Sequence, residues 1–178
     1  GINHLEKFGA LPDIAVGDFD SLGFVPDCGE VIRHPVMKDD TDTMLAVKTG
    51  FERGCERFII CGGAGGRPDH AFANYQTLCY ISRRGGRGYL CFNGYTACCI
   101  TDGEMNFTAR EGTLSVFAMS GKAEGVTLRG VLYPLESTVL SYDFPLGVSN
   151  EFTGKPATVS VKKGTLLVIW QGSADAPE

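Results

Sequence analysis

The sequence predicts an α/β unit with a mostly parallel sheet over residues 1–93, followed by an all-β unit over 94–178 folded as an antiparallel β-sandwich or a barrel-like sheet. Two observations carry that division. Up to Asn93, short apolar runs alternate with stretches of helical period. After Gly94 no helical period recurs, and seven β-type runs follow one another across turn residues. With 43% hydrophobic and 21% charged residues, the 178-residue chain has enough apolar surface for a packed core and is not expected to be disordered.

Each element has its own signal. Residues 14–17 and 30–34 are short apolar strands. In 41–53, Met44, Val47 and Phe51 recur at i, i+3 and i+7, and Gly54 supplies a stop, which predicts a helix. A third strand is read at 58–61. A second helix spans 69–83, with Phe72, Tyr75 and Cys79 on one face, and a loop at 84–88 leads to a fourth strand at 89–92. Strands separated by helices of this length imply βαβ units, so the first unit is expected to be Rossmann-like. The later strands are read at 95–101, 105–109, 113–119, 125–132, 138–142, 157–162 and 165–171. Asp102-Gly103, Glu111-Gly112, Ser120-Gly121 and Lys163-Gly164 mark turns between them. The two units are expected to join near 92–95, and Trp170 is read as a core or interface aromatic.

Charge narrows the function. The net charge of −5 argues against a nucleic-acid grip built on phosphate neutralisation. The imbalance is local. Between Asp13 and Asp42 eight acids (Asp13, Asp18, Asp20, Asp27, Glu30, Asp39, Asp40, Asp42) face two bases (Arg33, Lys38). Such a run is ordinarily a solvated edge, but here it interrupts strand and helix patterns, as a cation site would. No run reaches the roughly 18 apolar residues of a membrane span, and no cleavable signal opens the chain. Gly1 is not a start methionine, so residues upstream are expected to have been removed. The seven cysteines form no C-x-x-C pair, and His4, His34 and His70 are scattered. Buried free thiols in a reducing, cytoplasmic compartment are therefore expected, with no zinc site or disulfide framework.

Four motifs could carry chemistry. Asp18-Phe19-Asp20 follows the first strand. Carboxylates one residue apart can share a side of an extended segment, and strand carboxyl ends are where ligands gather in parallel sheets. Mutual repulsion would raise their pKa values unless a cation such as Mg²⁺ compensates. Lys38-Asp39-Asp40-Thr41-Asp42 opens a helix, where capping and macrodipole effects explain acids without any ligand. Four such residues exceed what capping requires, however, and Lys38 could meet a phosphate. Cys61-Gly62-Gly63-Ala64-Gly65-Gly66-Arg67-Pro68-Asp69-His70 could bring backbone N–H groups against an anion, with Arg67 as a phosphate fork and Asp69 as a cap or a metal ligand. It is neither a dinucleotide fingerprint nor a Walker A loop. His70 is read as an ordinary helix residue. Gly147-Val148-Ser149-Asn150-Glu151-Phe152 reads as turn chemistry. No G-x-S-x-G motif occurs and no cysteine has a nearby histidine, so carboxylates, a glycine loop and one or two bases point to phosphoryl-type transfer.

These motifs, in this order, resemble the thiamine pyrophosphokinase family. The matching stretches are GDFDSL (17–22), KDDTD (38–42), GGAGGRPDH (62–70), YPLES (133–137) and GVSNEF (147–152), which together reach across nearly the whole chain. The resemblance implies an α/β domain followed by a β-sandwich thiamine-binding domain, and transfer of pyrophosphate from ATP to the hydroxyl of thiamine with release of AMP. It implies that Asp18, Asp20 and Asp42 form the Mg²⁺ and phosphate site, with Asp69 as a further catalytic acid. Lys38, Gly65 and Arg67 are implied as nucleotide contacts. Asp40 fills the variable position of K-D-x-T-D, so Asp39 and Thr41 are favoured ahead of it. Ser149 and Asn150 are implied as thiamine or nucleotide contacts that serve the partner's site in a cytoplasmic homodimer with active sites at the interface. Family members usually begin with a strand and an A-D-G-G-like loop, so the first domain is read as N-terminally truncated, lacking one more acid. Two rivals use the same residues: a diphosphokinase for another small alcohol such as a hydroxymethylpterin, and a non-catalytic nucleotide- or thiamine-binding module. A D-x-D glycosyltransferase fits poorly with a short chain and an all-β second half.

Overall fold

The computed structural model describes residues 5, 9–19, 23–24, 28–35 and 39–173. By contacts the chain falls into two compact units, Gly1–Cys55 and Glu56–Glu178. The fold is mixed α/β, with few helices among the described residues.

In the first unit, β1 (Ile14–Gly17) and β2 (Glu30–Arg33) pair in parallel, Ile14 beside Glu30 through Gly17 beside Arg33. The helix α1 (Asp42–Glu52) starts where the capping signal places it. Thr41 is extended, and its Oγ1 accepts the Met44 N–H at 3.2 Å. At the far end, Arg53 Nη2 donates to both Glu30 carboxylate oxygens, at 2.6 and 2.8 Å, and so ties the helix to β2. The buried face of α1 is Leu45 and Val47, whereas Met44 and Phe51 are half-buried. The three-residue spacing alone passed over Leu45, which belongs to the same broad apolar stripe.

The second unit contains β3 (Arg57–Cys61), α2 (Pro68–Arg83), β4 (Arg87–Phe92), β5 (Tyr95–Thr101), β6 (Glu104–Phe107), β7 (Thr113–Ala118), β8 (Lys122–Arg129), β9 (Leu135–Ser141), β10 (Asn150–Glu151), β11 (Ala157–Ser160) and β12 (Thr165–Gln171). Six strands form one sheet in the order β10-β7-β12-β5-β4-β3, and four form another in the order β6-β11-β8-β9. The larger sheet is mixed. Only β3 and β4 run parallel, as the βαβ reading predicts, and its other pairs are antiparallel. Asn93 and Gly94, in the stretch expected to join two domains, form a two-residue turn with positive φ at both positions, 46° and 77°, and make β4 and β5 hydrogen-bonded neighbours.

Burial explains the sequence of β12. Leu166, Val168 and Trp170 enter the core shared with the four-stranded sheet, while Leu167 and Ile169 point to the face that packs α2. A strand covered on both faces reads as a continuous apolar run. Trp170 is fully buried, with its ring centroid 5.3 Å from Phe107, which in turn lies 5.1 Å from Phe152. On α2 the buried residues are Asn74, Thr77, Leu78, Cys79 and Ile81, and Phe72, expected on the inner face, is 59% exposed. The inner stripe runs through 74, 78 and 81, and a polar residue at its head hides that register from a purely apolar reading.

Candidate active site

The first group of candidate side chains belongs to the carboxyl end of β1 and the start of α1. Asp18 directly follows β1 and is half-buried. The next residue, Phe19, is buried and has φ of 60°, a left-handed conformation that a bulky side chain rarely adopts. Such strain persists only where surrounding packing enforces it, and it recurs at functional turns. Asp42 opens α1 and turns its carboxyl group to the end of β1. A methyl group on Gly17 would stand 3.5 Å from Asp42 Cγ and Oδ2 and 3.6 Å from Oδ1. The Asp42 carboxylate therefore lies beside Gly17, the residue that precedes Asp18.

Around them, Asp40 pairs with Lys48 Nζ across the first turns of α1, Thr41 caps the helix and Asp39 is exposed. Asp20 and Lys38 lie outside the described residues. Among the described residues no three His, Cys, Asp or Glu side chains are grouped to hold a metal. The carboxylate oxygens of Asp18 and Asp42 suit a hard divalent cation, which takes oxygen ligands and commonly needs only one or two carboxylates when phosphates supply the rest.

The second group follows β3. In the loop to α2, Gly62 and Gly66 have positive φ, 73° and 94°, which accounts for two of the four glycines. Gly63 is packed instead: a methyl group there would lie 2.7 Å from Asn74 Nδ2 and 2.9 Å from Leu90 Cδ1. At Gly65 a side chain would meet open space. Arg67 precedes α2 and grips Asp69 with two nitrogens, Nε to Oδ1 at 3.2 Å and Nη2 to Oδ2 at 2.5 Å. That fork, with help from the His70 backbone N–H, lowers the Asp69 carboxyl to about 2, although the pair is exposed. His70 is exposed.

The third group lies at the other edge of the larger sheet. Ser149 is exposed with φ of 60°, and its N–H donates to Ser115 Oγ at 3.1 Å. Asn150 is 4% exposed and serves the fold: Oδ1 accepts the N–H groups of Tyr133 (3.0 Å) and Glu151 (2.9 Å), and Nδ2 donates to Tyr133 O at 2.7 Å. Asn150 thus joins the YPLES and GVSNEF segments. Gly147 is required by contact, since a methyl group there would lie 2.3 Å from Val116 Cγ2 and 2.5 Å from Val116 O. The structure brings Arg67 to Asp69 and Ser149 to Asn150, but not these pairs to each other. The glycine loop leaves β3 at one edge of the sheet and Asn150 sits in β10 at the opposite edge, five strand spacings or about 24 Å away.

Two family models match the chain, one described as "Thiamin pyrophosphokinase, catalytic domain" over residues 1–89 and one as "Thiamin pyrophosphokinase, vitamin B1 binding domain" over 104–166. The chain belongs to the thiamine pyrophosphokinase family. A thiamine pyrophosphokinase of Bacillus subtilis is 28% identical over 169 residues, covering 90% of this chain and 79% of that protein. Its crystal structure superposes with a TM-score of 0.84 at 27% identity, over 96% of this chain and 83% of the other. The thiamin pyrophosphokinase of Geobacillus thermodenitrificans gives a TM-score of 0.81 at 26% identity, over 97% and 83%.

Within this thiamine pyrophosphokinase framework, Asn74 holds the glycine loop at Gly63 O and the Tyr133 backbone is held by Asn150, contacts that no motif announces. Asn74 was visible as a polar residue four positions before Leu78 and seven before Ile81 on one helix face. Nothing in the sequence marks Tyr133 beyond its place in YPLES, because its backbone is held by a residue 17 positions away.

Proposed function

We propose that this chain transfers a pyrophosphoryl group from ATP to the hydroxyl of thiamine, giving thiamine diphosphate and AMP. The observation that carries the reading is the Asp42 carboxylate set against Gly17 beside Asp18, at the carboxyl end of β1, in a chain matched by both family models. The thiamine hydroxyl oxygen attacks the β-phosphorus in line, and its proton is released to solvent. The new O–P bond forms as the bond from that phosphorus to the oxygen bridging it to the α-phosphate breaks, and AMP leaves with that oxygen. Asp18 and Asp42, with Asp20, hold the Mg²⁺ that accompanies ATP, and that ion supplies charge neutralisation on the phosphate oxygens. Asp39 and Thr41 set the start of α1 against the nucleotide, and Lys38 adds a cation. Arg67 has five N–H donors, more than the two that Asp69 takes, so it serves a phosphate while Asp69 fixes its orientation. Gly65, where no side chain intrudes, lets the backbone approach the phosphates.

The acceptor side is Ser149, through its exposed hydroxyl, and Asn150, through the loop it holds. The wide separation of these residues from the glycine loop supports a homodimer in which they serve the partner's site. So do the exposed side chains of Leu132, Tyr133, Phe144, Leu146 and Val148 around β10, which a second copy would cover. Seven free thiols suit a reducing, cytoplasmic setting. The reading is tested by incubating the chain with ATP, Mg²⁺ and thiamine and quantifying the products. Equal amounts of thiamine diphosphate and AMP are expected; ADP in place of AMP, or no thiamine diphosphate, refutes it.

A further inference from the structure

We infer that Asn74 is a positioning residue that sets the glycine turn 62–66 for the nucleotide's phosphates; the inference rests on the proposed reaction. Asn74 is 5% exposed on the inner face of α2, and its Nδ2 donates to Gly63 O at 2.6 Å. Its companions on that face, Leu78 and Ile81, are fully buried and apolar. Asparagine is a poor helix residue, and burying its amide is costly unless a hydrogen bond compensates. The bond it makes does not close a helix or a sheet ladder. It reaches out of the second turn of α2 to a carbonyl of the preceding loop.

The loop is shaped to receive that bond. Gly63 is wedged between Asn74, Leu90 and Ile60, at 2.7, 2.9 and 3.3 Å from where a Cβ would stand, so any side chain there would have to displace the Asn74 amide. Ala64 packs on the core beside it. Gly62, Gly65 and Gly66 face open space, two of them in left-handed conformations. A stretch with four glycines has high conformational entropy when unconstrained. One buried hydrogen bond at its tight point therefore selects the turn that carries Gly65 and leads into Arg67.

The test uses the full chain and two substitutions that disturb the contact from opposite sides, Asn74→Ala and Gly63→Ala. Steady-state kinetics with ATP and thiamine varied separately are combined with hydrogen exchange read by mass spectrometry. In Asn74→Ala, exchange of the 62–67 amides rises about tenfold and KM for ATP rises about tenfold, while KM for thiamine stays within about twofold. Exchange unchanged in 62–67, or equal rises in the two KM values, overturns the inference. If Asn74→Ala does not fold, Gly63→Ala must show the same selective rise in KM for ATP, and a KM for ATP like that of the parent protein overturns it. Absence of ATP turnover in the unsubstituted protein refutes the reaction itself. Normal turnover with unaltered ATP kinetics in folded variants refutes the role of Asn74 alone.

Discussion

At the scale of single residues, the account rests on side chains whose identity the sequence shows and whose engagement it does not. Asp18 and Asp42 are expected to act through charge, so Asp18→Asn and Asp42→Asn should each lower turnover by at least about 100-fold, with unchanged circular dichroism. Near-normal rates in both would remove them from the phosphate site. Asp69 carries a pH prediction. Its carboxyl ordinarily titrates at 3.8 and is lowered to about 2 by the Arg67 fork. The ionised form is the one that pairs, so the pair is complete above the ordinary value and is lost as pH falls through about 2. Replacing Arg67 by alanine should return the midpoint towards 3.8, as read by carbon-detected NMR of the carboxyl; an unmoved midpoint rules out Arg67 as the cause. The motifs made the acids legible. The inward turn of Asn150 was not legible, because a Ser-Asn pair reads the same whether its amide meets a ligand or its own loops.

At the scale of elements, the strand and helix order agrees closely with the periodicities, and the differences have identifiable causes. Thr41 was legible as a cap from its place before an apolar period, and Thr41→Ala should cost about 1 kcal/mol in urea unfolding. The strand β10 was not legible because two residues cannot show alternation. The turn at Asn93-Gly94 carries a hairpin signal, a dipeptide suited to positive φ at both positions, and the structure makes it the link between β4 and β5. Gly147 looked like turn punctuation and is in fact a contact residue. Gly147→Ala should destabilise by about 1–3 kcal/mol or abolish folding, because the obstacle includes the β7 backbone. A thermal midpoint equal to that of the parent protein would contradict that contact.

For the whole molecule, the larger sheet both builds the core and sets distances between functional groups. Its opposite edges carry the glycine loop and Asn150, a separation no local pattern reveals because it depends on strand order. If two subunits share each site, mixing inactive Asp42→Asn and Ser149→Ala chains after co-refolding should restore about a quarter of the parent rate, since half the dimers then hold one intact site. The most direct check of the central claim follows the phosphorus atoms. With ATP labelled at the α-phosphorus, Mg²⁺ and thiamine, the account predicts that all released label appears in AMP, matched one-for-one by thiamine diphosphate, and that Asp42→Asn nearly abolishes both. Label released as ADP, or thiamine diphosphate formed undiminished by Asp42→Asn, would contradict it.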